Sequence, residues 1–252
     1  MFKDLLKGLG QQLSIAFETN GKGYIGYIVE LTGGFVRGQS KKEALTKVGK
    51  EANLYLKWLG AKDQKDFTIE VAQVHNSSLA IEDADNEILL EADKKKMDED
   101  EFQILKDLVL YSGDTFFKTY QDAKLKDWVD QKRVRKTFYG DNPASIQAIY
   151  AHVKNCQYYY LSRLIKDFEE KEDEFKKIRL FFLEQLQDFF NRYNNSIIQN
   201  VDNELWTLKK VLRRFIWHDR IHAKAMIRIL QKQKDLDLIK DFSDPFFFQI
   251  QK

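Results

Sequence analysis

The sequence predicts an α+β front part in the order β-β-β-α-β, followed by an all-α four-helix bundle, and three observations carry that prediction. Ten of the 12 glycines lie in residues 1–60, leaving Gly113 and Gly140 for the rest of the chain. Glycine supplies turns with positive φ and is costly inside helices, so the front is expected to be strands and turns and the back helical. Short alternating apolar stretches run through the front, whereas apolar residues recur at three- and four-residue steps through the back. Hydrophobic residues make up 43% of the 252 and charged residues 32%, which suits a chain with a real core and argues against wholesale disorder. The change of pattern divides the chain into 1–92 and 93–252.

In the front part, residues 13–18 and 24–31 read as strands joined by Asn20-Gly21-Lys22-Gly23, a hairpin signal. Thr32-Gly33-Gly34 is a second turn, and residues 35–38 a short third strand. Ser40 with Glu43 three residues on forms a capping box that opens a helix. Ala44, Leu45, Val48, Ala52, Tyr55, Leu56 and Leu59 mark its apolar face, and Gly60 its stop. Residues 67–75 alternate again as a strand. The charged run 91–101 reads as a linker or as the start of the first bundle helix.

Four long helices are expected behind it, each of more than 20 residues. The first, about 97–121, places Phe102, Leu105, Leu108, Val109 and Phe116 on one face. The second opens at Asp141-Asn142-Pro143, an N-cap with proline at the first helical position, and runs through Ile146, Ile149, Val153, Cys156, Tyr160 and Leu164. The third covers roughly 169–194. The fourth starts near Asp202-Asn203 and runs to about residue 231.

The fourth helix carries the sharpest signal. Leu208, Val211, Phe215, His218, His222, Ala225 and Ile229 follow one another at steps of 3, 4, 3, 4, 3 and 4, the seam a bundle helix turns to its core. Helical residues four apart stack with Cβ atoms about 5–6 Å apart, so His218 and His222 can reach one metal ion. A third histidine, His152, lies between Ile149 and Val153 beside the apolar seam of the second helix. Packing the second helix against the fourth brings all three together. A single helical histidine is ordinarily a satisfied core or boundary residue, but two buried imidazoles in one seam need partners for four ring nitrogens. Three neutral imidazoles leave coordination positions open for water or substrate, the style of a catalytic metal site. His75, in the last front strand, reads as an ordinary strand or loop residue.

His218-Asp219-Arg220-Ile221-His222 has the spacing of the metalloprotease H-E-x-x-H, but aspartate is one methylene shorter than the glutamate base and the third histidine lies far upstream; both argue against a protease. Asp219 can orient an imidazole or enter a local salt bridge with Arg220 or a residue one turn away. Cys156, one turn after His152, is a conceivable fourth ligand, although a small buried core thiol is the commoner case. Lys132-Arg133-Val134-Arg135-Lys136 can serve an anionic substrate or simply solvate a loop, and residues 166–177 read as a solvated turn and helix start. The apolar tail Asp244-Pro245-Phe246-Phe247-Phe248 is expected to pack back on the bundle or across a homodimer interface.

Two resemblances add to this. The step Gly38-Gln39-Ser40-Lys41-Lys42-Glu43-Ala44, after a strand hairpin, resembles HicB-like domains over about residues 13–75. Members in toxin–antitoxin pairs mask a small RNase toxin, often with a DNA-binding appendage; no such appendage is read here, so the resemblance implies an interaction module with a protein partner. Ile149-Tyr150-Ala151-His152-Val153 and Trp217-His218-Asp219-Arg220-Ile221-His222-Ala223 resemble the DinB/YfiT-like superfamily of four-helix metalloproteins over about residues 98–232. That resemblance implies His152, His218 and His222 as ligands of a divalent metal such as Zn2+ or Ni2+. Characterised relatives include transferases that use low-molecular-weight thiols, and an isomerase.

Composition bounds the rest. A net charge of +2 argues against nucleic-acid binding through bulk positive charge. No stretch approaches the ~18 uninterrupted apolar residues of a membrane span, and Met1-Phe2-Lys3-Asp4-Leu5-Leu6-Lys7 has no signal-peptide core. The lone Cys156 excludes an internal disulfide framework and fits a reducing cytoplasm. The expectation is a cytoplasmic metal-dependent enzyme acting on a small-molecule substrate, either a thiol-dependent S-transferase or a hydrolase. The alternative is a non-enzymatic scaffold whose front domain holds a protein partner.

Overall fold

A computed structural model describes residues 2–62, 65–77, 89–137, 140–170, 172–199 and 204–248. A mixed α+β chain results, with a four-stranded sheet followed by helices. A short helix, α1 (Lys3–Gly8), leads into β1 (Gln12–Thr19), which pairs antiparallel with β2 (Tyr24–Ile28). Their turn is made by Asn20, whose Oδ1 accepts from the backbone N–H of Lys22 (3.0 Å) and Gly23 (3.2 Å), and by Gly21 at φ 81°. β3 (Phe35–Gly38) pairs antiparallel with β2, and β4 (Thr68–Asn76) returns parallel to β1, giving the order β3-β2-β1-β4.

Ser40 caps the helix after β3 as expected, its Oγ accepting from the N–H of Glu43 at 3.1 Å. The Glu43 carboxylate accepts from Gln39, one residue earlier than a capping box requires. One helix was expected here and two are present, α2 (Lys41–Thr46) and α3 (Val48–Trp58), divided at Lys47. The Lys47 ammonium donates to the carbonyl of Arg37 at 2.8 Å, tying that break to the end of β3.

The helical part comprises α4 (Glu99–Asp122), α5 (Ile146–Ser162), α6 (Phe175–Tyr193) and α7 (Leu208–Asp235). Two of the four therefore fall short of 20 residues. α7 packs on α4 and α5, and α6 packs on the same two helices. Two expected helix starts are corrected. α5 is capped by Ser145, whose Oγ accepts from the N–H of Ala148 (3.1 Å), not by Asp141 or Asn142. Asp141 instead belongs to a small ladder of β5 (Lys136–Thr137) with β6 (Gly140–Asp141), and the carbonyl of Pro143 is taken by the Arg133 guanidinium. α7 is capped by Thr207, directly after the ladder of β7 (Ile198–Gln199) with β8 (Leu205–Trp206). The expected start at Asp202-Asn203 lies outside the described residues.

Residues 91–101 do more than link. A 3-10 turn, Glu91–Lys94, buries Asp93, which Arg213 of α7 grips at 2.6 Å, while Asn195 and Thr207 donate to the Asp93 carbonyl. Asp98 then caps α4.

One face of the sheet, with Leu13, Ile15, Phe17, Ile28 and Val36, joins α3 and all four long helices in a single buried cluster. The opposite face, with Ala16, Ile25, Tyr27 and Phe35, packs against Leu90 and Trp217 of α7. The tail packs back: Phe246 is fully buried, 5.1 Å ring to ring from Trp58 of α3. Among the described residues no helix is long and apolar enough to cross a membrane.

Candidate metal centre

α7 is the axis on which the site is built. Leu208, Val211, Phe215, His218, Ala225 and Ile229 of the predicted seam are buried, and His222 is half-buried at the same stripe. α5 lies against that stripe, and its own apolar residues Ile149 and Val153 bracket His152, so packing the two seams carries His152 to the pair on α7. The Nε2 atoms of His152 and His218 are 3.3 Å apart. Ring centroids lie 4.7 Å apart for His152 and His222, and 4.3 Å for His218 and His222. One nitrogen from each ring falls within 4.8 Å of the others, close enough to hold one metal ion.

Donor chemistry fits such an ion. Two nitrogens at about 2.0–2.1 Å from a tetrahedral ion sit about 3.3 Å from each other, which matches the His152–His218 separation. Protonation would abolish the lone pairs, and the surroundings oppose it. Burial first, then the imidazoles of His222 and His152, then Arg214 and Arg179 hold His218 well below the ordinary histidine range. His222 is lowered likewise by burial first, then by His152, Arg133, Arg37 and Arg214. Both imidazoles are thus neutral at neutral pH.

The surrounding shell departs from the sequence reading at Asp219. Asp219 neither orients an imidazole nor pairs with Arg220. It is buried and bound by Arg179 of α6 through two bonds of 2.9 and 3.0 Å, with a third from the Ser112 hydroxyl at 2.6 Å. Arg220 turns to the front part, where Glu51 of α3 takes it at 2.7 Å. The Cys156 sulfur lies 3.6 Å from Nε2 of His152 but outside the group of three ligand atoms, so it stands beside one ligand and is not a fourth.

Other residues near the imidazoles were not expected at the site. Tyr160 presents its ring to His218, edge to face at 5.4 Å, and its hydroxyl accepts from Arg214 at 3.3 Å. Both were signalled by spacing: Tyr160 stands two turns beyond His152, and Arg214 one turn before His218. Arg37 was not signalled, because it comes from β3. His75 lies in β4, apart from the cluster. No family model, curated protein or solved structure matches the chain significantly.

Proposed function

We propose that the chain is a divalent-metal-dependent enzyme of the DinB/YfiT-like kind, working on a small molecule at a three-histidine site, with a HicB-like front domain packed against its last helix. The observation that carries this reading is the convergence of His152, His218 and His222 from two helices, with one ligand nitrogen of each within 4.8 Å of the others. Zn2+ or Ni2+ suits imidazole donors. Such an ion supplies Lewis acidity that favours the anionic form of a thiol or a water at neutral pH, which serves either S-transfer from a low-molecular-weight thiol or hydrolysis. The chain's own contribution is to hold the His218 and His222 rings neutral, to brace His218 with Tyr160, and to keep Asp219 occupied elsewhere. A cytoplasmic setting agrees with the single free Cys156.

The test is metal content of protein purified without a histidine tag. About one ion per chain, lost in His218→Ala, supports the reading. A chain without metal whose stability is unchanged by replacing all three histidines with alanine favours a second reading, a non-enzymatic interaction module. One observation speaks for that alternative: β4 is an outer strand whose Ile69 and Val74 are exposed, a surface to which a protein partner or a second copy can add.

A further inference from the structure

A cavity of about 500 Å³ opens between the C-terminal half of α5, the segment that leads into α6, and Ile178 of α6. None of the three histidines lines it, so it stands apart from the metal centre. One wall is aromatic. The rings of Tyr158 and Phe168 lie within 10° of parallel, with centroids 6.0 Å apart. The Tyr158 hydroxyl fixes that wall, donating to the Glu172 carbonyl at 2.7 Å and accepting from the Glu172 N–H at 3.2 Å. The charged lining is unequal: Glu170, Glu172 and Asp173 stand against one cation, Lys154. Asp173 engages Lys154 at 2.6 Å. The lysines that open α6 are engaged as well, Lys176 by Asp114 and Lys177 by Glu174. Arg163 stacks over the Tyr159 ring at 4.2 Å and does not line the cavity. Among the described residues the Glu170 and Glu172 carboxylates have no hydrogen bond or ion pair. The cavity thus joins an ordered aromatic wall to two carboxylates that nothing described neutralises.

We infer that this cavity binds a small aliphatic amine in its ammonium form, with the Tyr158–Phe168 wall and the Glu170 and Glu172 carboxylates as its receptors. An ammonium is attracted to the face of an aromatic ring, and a carboxylate accepts its N–H bonds with charge assistance. A neutral or anionic molecule of the same size gains neither. The volume lies in the range of small-molecule sites, and two unengaged carboxylates favour a diamine. The mixed-sign run 166–177 thereby has a use beyond a solvated turn: Lys176 and Lys177 serve neighbouring acids, and two glutamates are left for the guest. The site needs no metal at the three histidines, so the two readings stand or fall separately.

The experiment titrates the full chain calorimetrically with butane-1,4-diamine and with its neutral isostere butane-1,4-diol. The diamine is expected to bind and the diol to give no signal. Glu170→Gln and Glu172→Gln are each expected to weaken the diamine about fivefold or more. Phe168→Leu, which removes a ring and keeps an apolar side chain, is expected to weaken it about threefold. Asp100→Asn, at an exposed acid of α4, controls for overall charge and is expected to leave binding unchanged. Binding to the wild-type chain is expected to weaken as inert salt is raised, a readout that needs no variant to fold. Absence of diamine binding, binding matched by the diol, or an affinity indifferent to both glutamates overturns the inference. A loss in Asp100→Asn as large as that in Glu170→Gln overturns it too, since diffuse surface charge would then account for the binding.

Discussion

Asp219 follows His218 in the chain, yet the two serve different parts of the molecule, and the difference is testable. Arg179 is buried with Asp219 as its charged partner, so Asp219→Ala leaves a guanidinium without compensation in the interior. A loss of about 3–5 kcal/mol in urea unfolding is expected, with metal uptake unchanged because no imidazole depends on Asp219. Metal loss without destabilisation would place Asp219 at the ligands after all. Lys210 offers a second case. It is fully buried at the start of α7, its ammonium donating to the Leu205 carbonyl (2.9 Å) over the Trp206 ring. Burial above all, then Arg213 and Arg214, pull its pKa down to about 7, against the partial support of Glu204 and Asp93. Between about pH 7 and the ordinary lysine value near 10.4 the unfolded chain then binds more protons than the folded one, so stability rises with pH by up to about 1.4 kcal/mol per unit. Urea midpoints at pH 7, 8 and 9 should climb for the wild type and flatten in Lys210→Met; parallel curves contradict the assignment.

At the scale of elements, α7 shows what a sequence discloses and what it hides. The 3,4 rhythm of its seam is a local property, and so the histidine stripe was readable before any fold was known. Its second face was not. Arg213, Trp217 and Arg220 are buried against the sheet and α3, the two arginines held by Asp93 and Glu51 and by aromatic rings. Cationic residues read as solvent-facing until the partner that neutralises them is known, and those partners lie more than a hundred residues away in sequence. Helix starts misled for a related reason: Asp141-Asn142-Pro143 and Ser145 both carry capping chemistry, and the carbonyl contact from Arg133 to Pro143 lies beyond a local rule's reach. The contact of turn with helix is sharp at Gly33, which has φ 82°. A Cβ there would come 2.5 Å from the Ile216 side chain and 2.9 Å from the Trp217 nitrogen. Gly33→Ala should therefore cost about 2–4 kcal/mol, from the left-handed backbone and the forced packing together. An unfolding midpoint within error of wild type would mean that the turn does not press on α7.

Taken whole, the molecule joins parts that the glycine distribution separates. That a sheet is followed by helices was legible because the change of texture is compositional. The shared interior was not, because it depends on long-range contacts: Trp58 of α3 hydrogen-bonds Thr115 of α4 and stacks on Tyr111, and Arg220 of α7 sits among Tyr55, Trp58, Phe246 and Phe248. Fluorescence and far-ultraviolet dichroism are expected to follow one coincident unfolding transition; two separated transitions would show the halves to be independent. The meeting of His152 with His218 and His222 belongs to this scale as well, since it needs α5 to lie on the histidine stripe of α7. Anomalous diffraction at the metal edge, on crystals of untagged protein, examines it most directly. The account predicts one peak at about 2.0–2.2 Å from a nitrogen of each of the three imidazoles. A metal bound elsewhere, or an His152 ring turned away from an ion held by His218 and His222, would contradict it.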